Sequence, residues 1–137
     1  MANSRENFAP PHSVEAEKAV LGAILRNPDQ FDAIIDKVSL QNDHFFVDTH
    51  RRIFKAITEL DANNKAIDFL TVTETLTKQK DNDIGIPFLI ELTENCPITQ
   101  NVEHYASIVK KNYFLRRIIL ACQETSRKAM AADGEVS

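Results

Sequence analysis

The carboxyl-terminal part of the chain contains a long segment without glycine or proline, from Val102 to about Ala131. Asn101, just before it, is a residue type that favours helix N-caps. Because glycine and proline are the strongest helix breakers, the segment predicts one helix of roughly 30 residues, far above the mean helix length of about 11 to 12. A helix of this length points to an α-helical fold.

The apolar residues of this long helix follow a three-four spacing, like the seam of a coiled coil, with polar Asn112 interrupting it. The positions on the seam are Tyr105, Ile108, Leu115, Ile119 and Cys122. Val102, Val109, Tyr113 and Ile118 widen the stripe. A stripe this wide suggests that part of it meets another helix, either a second hairpin arm or another subunit. We therefore predict that the five seam residues form a subunit contact; the alternative is that they pack only against their own domain.

The preceding part of the chain shows the apolar period of about five short helices. Their predicted starts are marked by Ser13, Asn27, Asp48, Asp68 and Pro87. Residues 39–47 predict a loop that places Phe45 and Phe46 in the core. Residues 71–77 also alternate like a strand, but a helix needs no pairing partner and is favoured. The predicted fold is an all-α, compact bundle of about five short helices followed by one long helix.

The length of 137 residues is suited to one compact domain. We predict a flexible arm over residues 1–11, which end in Pro10 and Pro11, and a helical head over 12–100. The long helix is assigned to 101–131 and a frayed end to 132–137. No signal peptide or membrane span is evident, so the expected location is the cytoplasm.

The net charge of −4 argues against a domain that grips nucleic acid through clustered cations. Positive charge is nevertheless concentrated in one segment, where Lys110-Lys111 and Arg116-Arg117 flank Tyr113 and Phe114. This pattern is similar to a basic patch with aromatic residues. Adjacent helical residues point in different directions, however, so a long amphipathic helix with charged flanks is the favoured interpretation.

No catalytic, cofactor-binding or metal site is predicted. The three glycines are isolated, whereas a phosphate-binding loop needs them clustered. Asp43, His44, Asp48 and His50 form a polar cluster whose spacing matches no zinc motif. Glu15 and Glu17 are two residues apart and are interpreted as part of a solvated face. Cys96 and Cys122 lie far apart, and both are expected to be ordinary thiols.

Four stretches of the chain together carry a family resemblance. The first is residues 11–17 with Val20-Leu21-Gly22; the second is Phe45-Phe46 followed by residues 50–54; the third is Ile67-Asp68 with Thr71-Val72 and Leu76; the fourth is Asn101-Val102 with Tyr105-Ala106, Ile108-Val109 and residues 115–117. In this order and spacing they resemble the amino-terminal domain of DnaB-type replicative helicases. Two positions depart from the family pattern: Gly85-Ile86-Pro87 stands where paired glycines are common, and Cys96 stands where threonine is common.

The resemblance implies a helical head followed by a helical hairpin, of which the long helix would be the first arm. Paired hairpins would build a dimer and then a hexameric ring arranged as a trimer of dimers. The family's RecA-like motor domain, with its ATP, Mg²⁺ and DNA sites, lies outside this sequence. The resemblance therefore implies a non-enzymatic scaffold that binds primase and influences the helicase loader. A stand-alone helical DNA-binding domain is the alternative, and a small helical enzyme is less favoured.

Overall fold

The computed structural model describes residues 9–94 and 101–136, with side chains as far as residue 133. Within these ranges the chain has six α-helices and no β-strand. The short helices are α1 (Val14–Arg26), α2 (Asp29–Val38), α3 (Asp48–Ala62), α4 (Phe69–Lys78) and α5 (Ile86–Glu94). A 3-10 turn, Asn42–His44, lies between α2 and α3, and the long helix α6 spans Val102–Val136. The predicted all-α class, with about five short helices and one long helix, is confirmed.

Helix α1 lies at the centre of the head and contacts α2, α3, α5 and α6. Val20, Leu21 and Ile24, at helical spacing on α1, are fully buried. Phe45 and Phe54 pack beside them with ring centroids 5.0 Å apart. The head is therefore organised around one apolar helix, as the sequence period predicts.

Two helix starts are capped as their sequences predict. The side chain of Ser13 accepts a hydrogen bond from the N–H of Ala16 at 3.1 Å. Asp68 accepts from the N–H of Thr71 at 2.8 Å, and the hydroxyl of Thr71 accepts from the N–H of Asp68 in return. This reciprocal capping box explains why residues 69–78 form a helix despite their strand-like alternation.

Asp48 does not cap α3 as predicted. It is the first helical residue, and its carboxylate instead accepts hydrogen bonds from Arg51 and Arg52, each at 2.9 Å. The N–H groups that precede the helix, of Phe46 and Val47, are bound by a side chain from α1. The backbone just before α3 is thus bound by a side chain of another helix, a long-range contact that local sequence cannot reveal.

The ends of the chain differ from the predicted boundaries. Helix α6 continues to Val136, so residues 132–136 are helical where a frayed end was predicted. A lone glycine such as Gly134 weakens a helix by about 1 kcal/mol and does not by itself end it. Pro11 of the predicted flexible arm contacts Arg116 of α6, whereas residues 1–8 lie outside the described residues. The predicted stop of α5 at Asn95-Cys96-Pro97 also lies outside them.

Helix α6 belongs to the head only over its first turns. Val102, Ala106 and Val109 are buried against α1 and α2. From Phe114 onward almost every described side chain is exposed, and Arg116 is the exception. At about 1.5 Å per residue, the exposed part extends the helix tens of ångströms from the head. Although α6 is long, no helix in the described ranges is apolar enough to cross a membrane.

Candidate functional site

The carboxylate of Glu17 connects α1 to the start of α3. Only 1% of the residue is exposed, and it accepts hydrogen bonds from the N–H groups of Phe46 at 2.7 Å and Val47 at 3.2 Å. Nδ1 of His50 lies 2.8 Å from Oε1 of Glu17. A negative charge is favoured at a helix N-terminus, where N–H groups point outward. Glu17 thus fixes where α3 begins relative to α1.

Arg51 holds the same loop from its opposite side. Its guanidinium donates to the carbonyl oxygens of Phe45 at 3.1 Å and Phe46 at 2.9 Å, and to Asp48. The loop's N–H groups are therefore bound by Glu17 and its carbonyl groups by Arg51. Satisfying both sets allows irregular backbone to lie partly buried.

Arg116 joins α6 to the head at the level of this loop. It donates to the carbonyl oxygens of Pro11 at 2.8 Å and His44 at 2.9 Å, and its guanidinium carbon lies 5.3 Å from the ring centroid of Phe46. Burial lowers the pKa of Arg116, the nearby Arg51 acts in the same direction, and Glu17 opposes them. The side chain of Arg116 thus joins Pro11 and the 3-10 turn to α6.

A cavity of about 380 Å³ lies beside Arg116, where α6 leaves the head. Its apolar walls include Phe45, Phe46, Tyr113, Ile119 and Leu120. Arg51, Arg116, Arg117 and Asp43 also line it, and residues 9–11 form one side. We call this the junction cavity.

The five predicted seam residues fall into two groups. Tyr105 and Ile108 are half-buried and pack against the core of their own head, the alternative to a subunit contact. Leu115 and Ile119 are 37% and 41% exposed, and Cys122 is exposed. The seam is therefore not one continuous surface in this chain, since the head covers its first part.

The exposed stripe of α6 consists of Leu115, Ile118, Ile119, Cys122 and Met130. The first four stand at positions i, i+3, i+4 and i+7, so they share one side of the helix. Ile118 and Met130 are 59% and 76% exposed. An apolar stripe of this kind on a projecting helix is typical of a surface that packs against another helix.

The four basic residues predicted as a possible patch on α6 do not act together. Nζ of Lys110 donates to the carbonyl oxygen of Val38 at 2.6 Å, and Arg116 donates to carbonyl groups of the head. Lys111 and Arg117 are exposed. Two of the four cations thus attach α6 to the head, which fits the amphipathic interpretation better than a nucleic-acid patch.

The polar cluster around the 3-10 turn has structural contacts. His44 is buried, and its Nδ1 accepts a hydrogen bond from the N–H of Gln41 at 3.0 Å. Burial lowers the pKa of His44. Asp48 pairs with arginines and His50 with the glutamate of α1. Among the described residues, no three or more His, Cys, Asp or Glu side chains are grouped to hold a metal ion.

Sequence reasoning missed the roles of Glu17 and Arg116. The interpretation of Glu17 as part of a solvated face is wrong, because it is buried. A signal was present: Glu17 precedes Val20 and Leu21 by three and four residues and so shares their buried side. Arg116 similarly stands three residues after Tyr113. A charged residue in register with an apolar face indicates a buried polar contact.

Residues 9–111 match the family model described as DnaB-like helicase N terminal domain. The chain is 35% identical over 131 residues to the replicative DNA helicase DnaB of Pasteurella multocida, covering 94% of this chain and 28% of that protein. It is 32% identical over 129 residues to the replicative DNA helicase DnaC of Bacillus subtilis, covering 93% of this chain and 28% of that protein. The chain thus spans little more than a quarter of these relatives.

A solved structure shows the same fold. The crystal structure of the N-terminal domain of DnaB helicase from Mycobacterium tuberculosis superposes with a TM-score of 0.84 at 28% sequence identity. The match covers 91% of this chain and 89% of that one. Since the family model, the relatives and this structure agree over most of its length, the chain belongs to the family of DnaB-like helicase N-terminal domains.

Proposed function

We propose that this chain is the assembly and docking domain of a replicative DNA helicase, and that it performs no catalysis itself. The exposed stripe of α6 carries the proposal, because a projecting helix with an apolar side needs a covering partner in water. The covering partner is a second copy of the chain, which fits the dimers and hexamers implied by the family. In this proposal α6 is the first arm of a hairpin whose second arm lies beyond this sequence.

The remaining activities belong to the whole protein. Unwinding of DNA, with its ATP and Mg²⁺ sites and most DNA contacts, would reside in a motor domain outside this sequence. The domain described here would bind primase and influence the helicase loader in the cytoplasm. Membership of the DnaB-like family and the relatives named replicative DNA helicase support this assignment.

Self-association can be tested by sedimentation equilibrium over a range of concentrations. We expect wild-type chain to show a concentration-dependent dimer, and Ile118→Glu with Ile119→Glu to shift it to monomer by placing charges in the stripe. Ala131→Glu adds a charge at an exposed position off the stripe and should leave the dimer unchanged. A wild-type chain that stays monomeric at every concentration would show that the stripe of α6 is not sufficient for assembly.

Primase docking calls for a separate measurement. We expect calorimetry with the helicase-binding domain of the cognate primase to show saturable binding without ATP or DNA. Absence of binding by a chain whose dimer has been verified would contradict the docking role. Absence of binding by a monomeric chain would instead place the site between subunits.

A further inference from the structure

The junction cavity is cationic although the chain as a whole is acidic. Three arginines and one aspartate line it, in a chain with a net charge of −4. Arg51 has an acidic partner in Asp48. Neither Arg116 nor Arg117 has an ion pair with another described residue. Positive charge without matched negative charge in an apolar recess favours an anionic ligand.

The environment of Arg116 strengthens this conclusion. Its guanidinium bonds two backbone carbonyl groups and no carboxylate of the described residues. Burial lowers its pKa although Glu17 opposes this change, and Arg51 adds to the effect of burial, so its charged form is less stabilised here than in water. Arg116 therefore adds positive charge to the cavity, and Arg117 offers the exposed guanidinium that can bind a carboxylate.

The apolar walls of the cavity indicate that its ligand has an apolar group as well as a negative charge. Phe46, Ile119 and Leu120 present apolar surface, and the volume of about 380 Å³ lies in the range of sites that bind organic groups, roughly 300 to 1,000 Å³. Arg117 is exposed and lines the same space. A ligand that fits these features has an apolar group for the interior and a carboxylate for Arg117.

We propose that the junction cavity binds a peptide segment of a partner protein in which a bulky apolar side chain stands beside an acidic one. A peptide fits better than a free small molecule, because Leu120 and Gln123 extend the lining of the cavity along α6. A segment seated in the cavity can therefore continue along α6. Recognition of acidic motifs by clustered arginines is a recurrent mode of peptide binding. This inference does not depend on self-association and would hold for a monomeric chain.

The test is a two-dimensional ¹⁵N NMR titration of the whole chain with a blocked phenylalanyl-aspartate dipeptide. We expect saturable shifts of backbone amides around the cavity, at Phe46 and Leu120 among others. The phenylalanyl-asparagine analogue, which lacks the charge, should bind about fivefold more weakly, the effect of one partly exposed ion pair. Arg117→Gln should weaken binding of the aspartate dipeptide by the same factor. Lys111→Gln, which removes an exposed charge elsewhere on α6, should not.

Several outcomes would overturn the proposal. Equal affinity for the two dipeptides, an unchanged affinity in Arg117→Gln, or no saturable shift at the cavity would exclude an arginine-bound carboxylate. Shifts of the cavity amides with protein concentration alone would make a second copy the occupant. Binding of the dipeptide only after removal of residues 1–8 would assign the cavity to the chain's own amino terminus.

Discussion

Glu17 and His50 form a buried pair, with Oε1 and Nδ1 2.8 Å apart and only 1% and 2% of their side chains exposed. They are 33 residues apart in sequence, on α1 and α3. The same carboxylate binds two backbone N–H groups at the start of α3. One side chain therefore accepts three hydrogen bonds and determines how the two helices meet. The stability of the fold should for this reason depend strongly on the pair.

Replacing Glu17 with alanine should lower the free energy of unfolding by about 3 to 5 kcal/mol. The substitution leaves two N–H groups and an imidazole without their acceptor in a buried position, and breaking a buried pair costs about that much. Urea unfolding followed by circular dichroism measures the change. Glu15→Ala, an exposed change in the same helix turn, should cost less than about 1 kcal/mol. Similar losses for the two variants would mean that Glu17 does not organise the start of α3.

Replacing Arg116 with lysine should weaken the contact of α6 with Pro11 and the 3-10 turn. A lysine ammonium cannot reproduce the planar guanidinium that bonds two carbonyl groups while stacking on Phe46. We expect a loss of about 1 kcal/mol in unfolding free energy and a lower ¹⁵N heteronuclear NOE at His12. Arg117→Lys serves as the control, and an equal effect there would refute a specific role for Arg116.

The helices could be predicted from the sequence because the residues that start, continue and end a helix are close together in the chain. The spacing of apolar residues and caps such as Ser13 and Asp68 act within a few residues, and the absence of glycine and proline over most of its length predicts α6. The contacts that build the candidate site are not local. Arg116 bonds His44, 72 residues away, and no short-range pattern specifies that pairing. The junction cavity could not be predicted for the same reason.

The seam on α6 shows a second limit of sequence patterns. Apolar spacing identifies which side of a helix is to be buried but not what buries it. Ile108 and Leu115 stand seven residues apart at equivalent seam positions, yet the head covers the first and leaves the second exposed. The length of the head relative to α6 decides the difference, and that length is a property of the tertiary fold.

Asp48 and Asp68 offer a matched comparison of two predicted caps. Asp68 binds the N–H of Thr71 in a capping box, so Asp68→Ala should reduce the free energy of unfolding by about 1 kcal/mol. Asp48 makes exposed ion pairs with arginines instead, and Asp48→Ala should cost less. Chemical denaturation of both variants under the same conditions distinguishes them. A larger loss for Asp48→Ala would mean that its ion pairs with Arg51 and Arg52 stabilise the fold more than the cap at Asp68 does.

His44 should make the fold sensitive to mild acid. Burial, then the positive charges of Lys110 and Arg116, lower its pKa from the ordinary value of 6.5, while Asp43 opposes them. The unfolded chain therefore takes up a proton first as the pH falls. The contribution of neutral His44 to the free energy of unfolding is fully present above pH 6.5. It is lost as the pH falls from 6.5 through the lower pKa that His44 has in the folded state. Protonation of Nδ1 would also remove the acceptor for the N–H of Gln41.

The measurement is the urea midpoint of wild type and His44→Gln between pH 7.5 and pH 5. All other ionisable groups are present in both proteins, so the difference between their pH profiles isolates His44. We expect the wild-type midpoint to fall more steeply than that of the variant over this range. Parallel profiles would mean that His44 binds its proton equally well in the folded and unfolded chain, against the burial and neighbouring cations that surround it here.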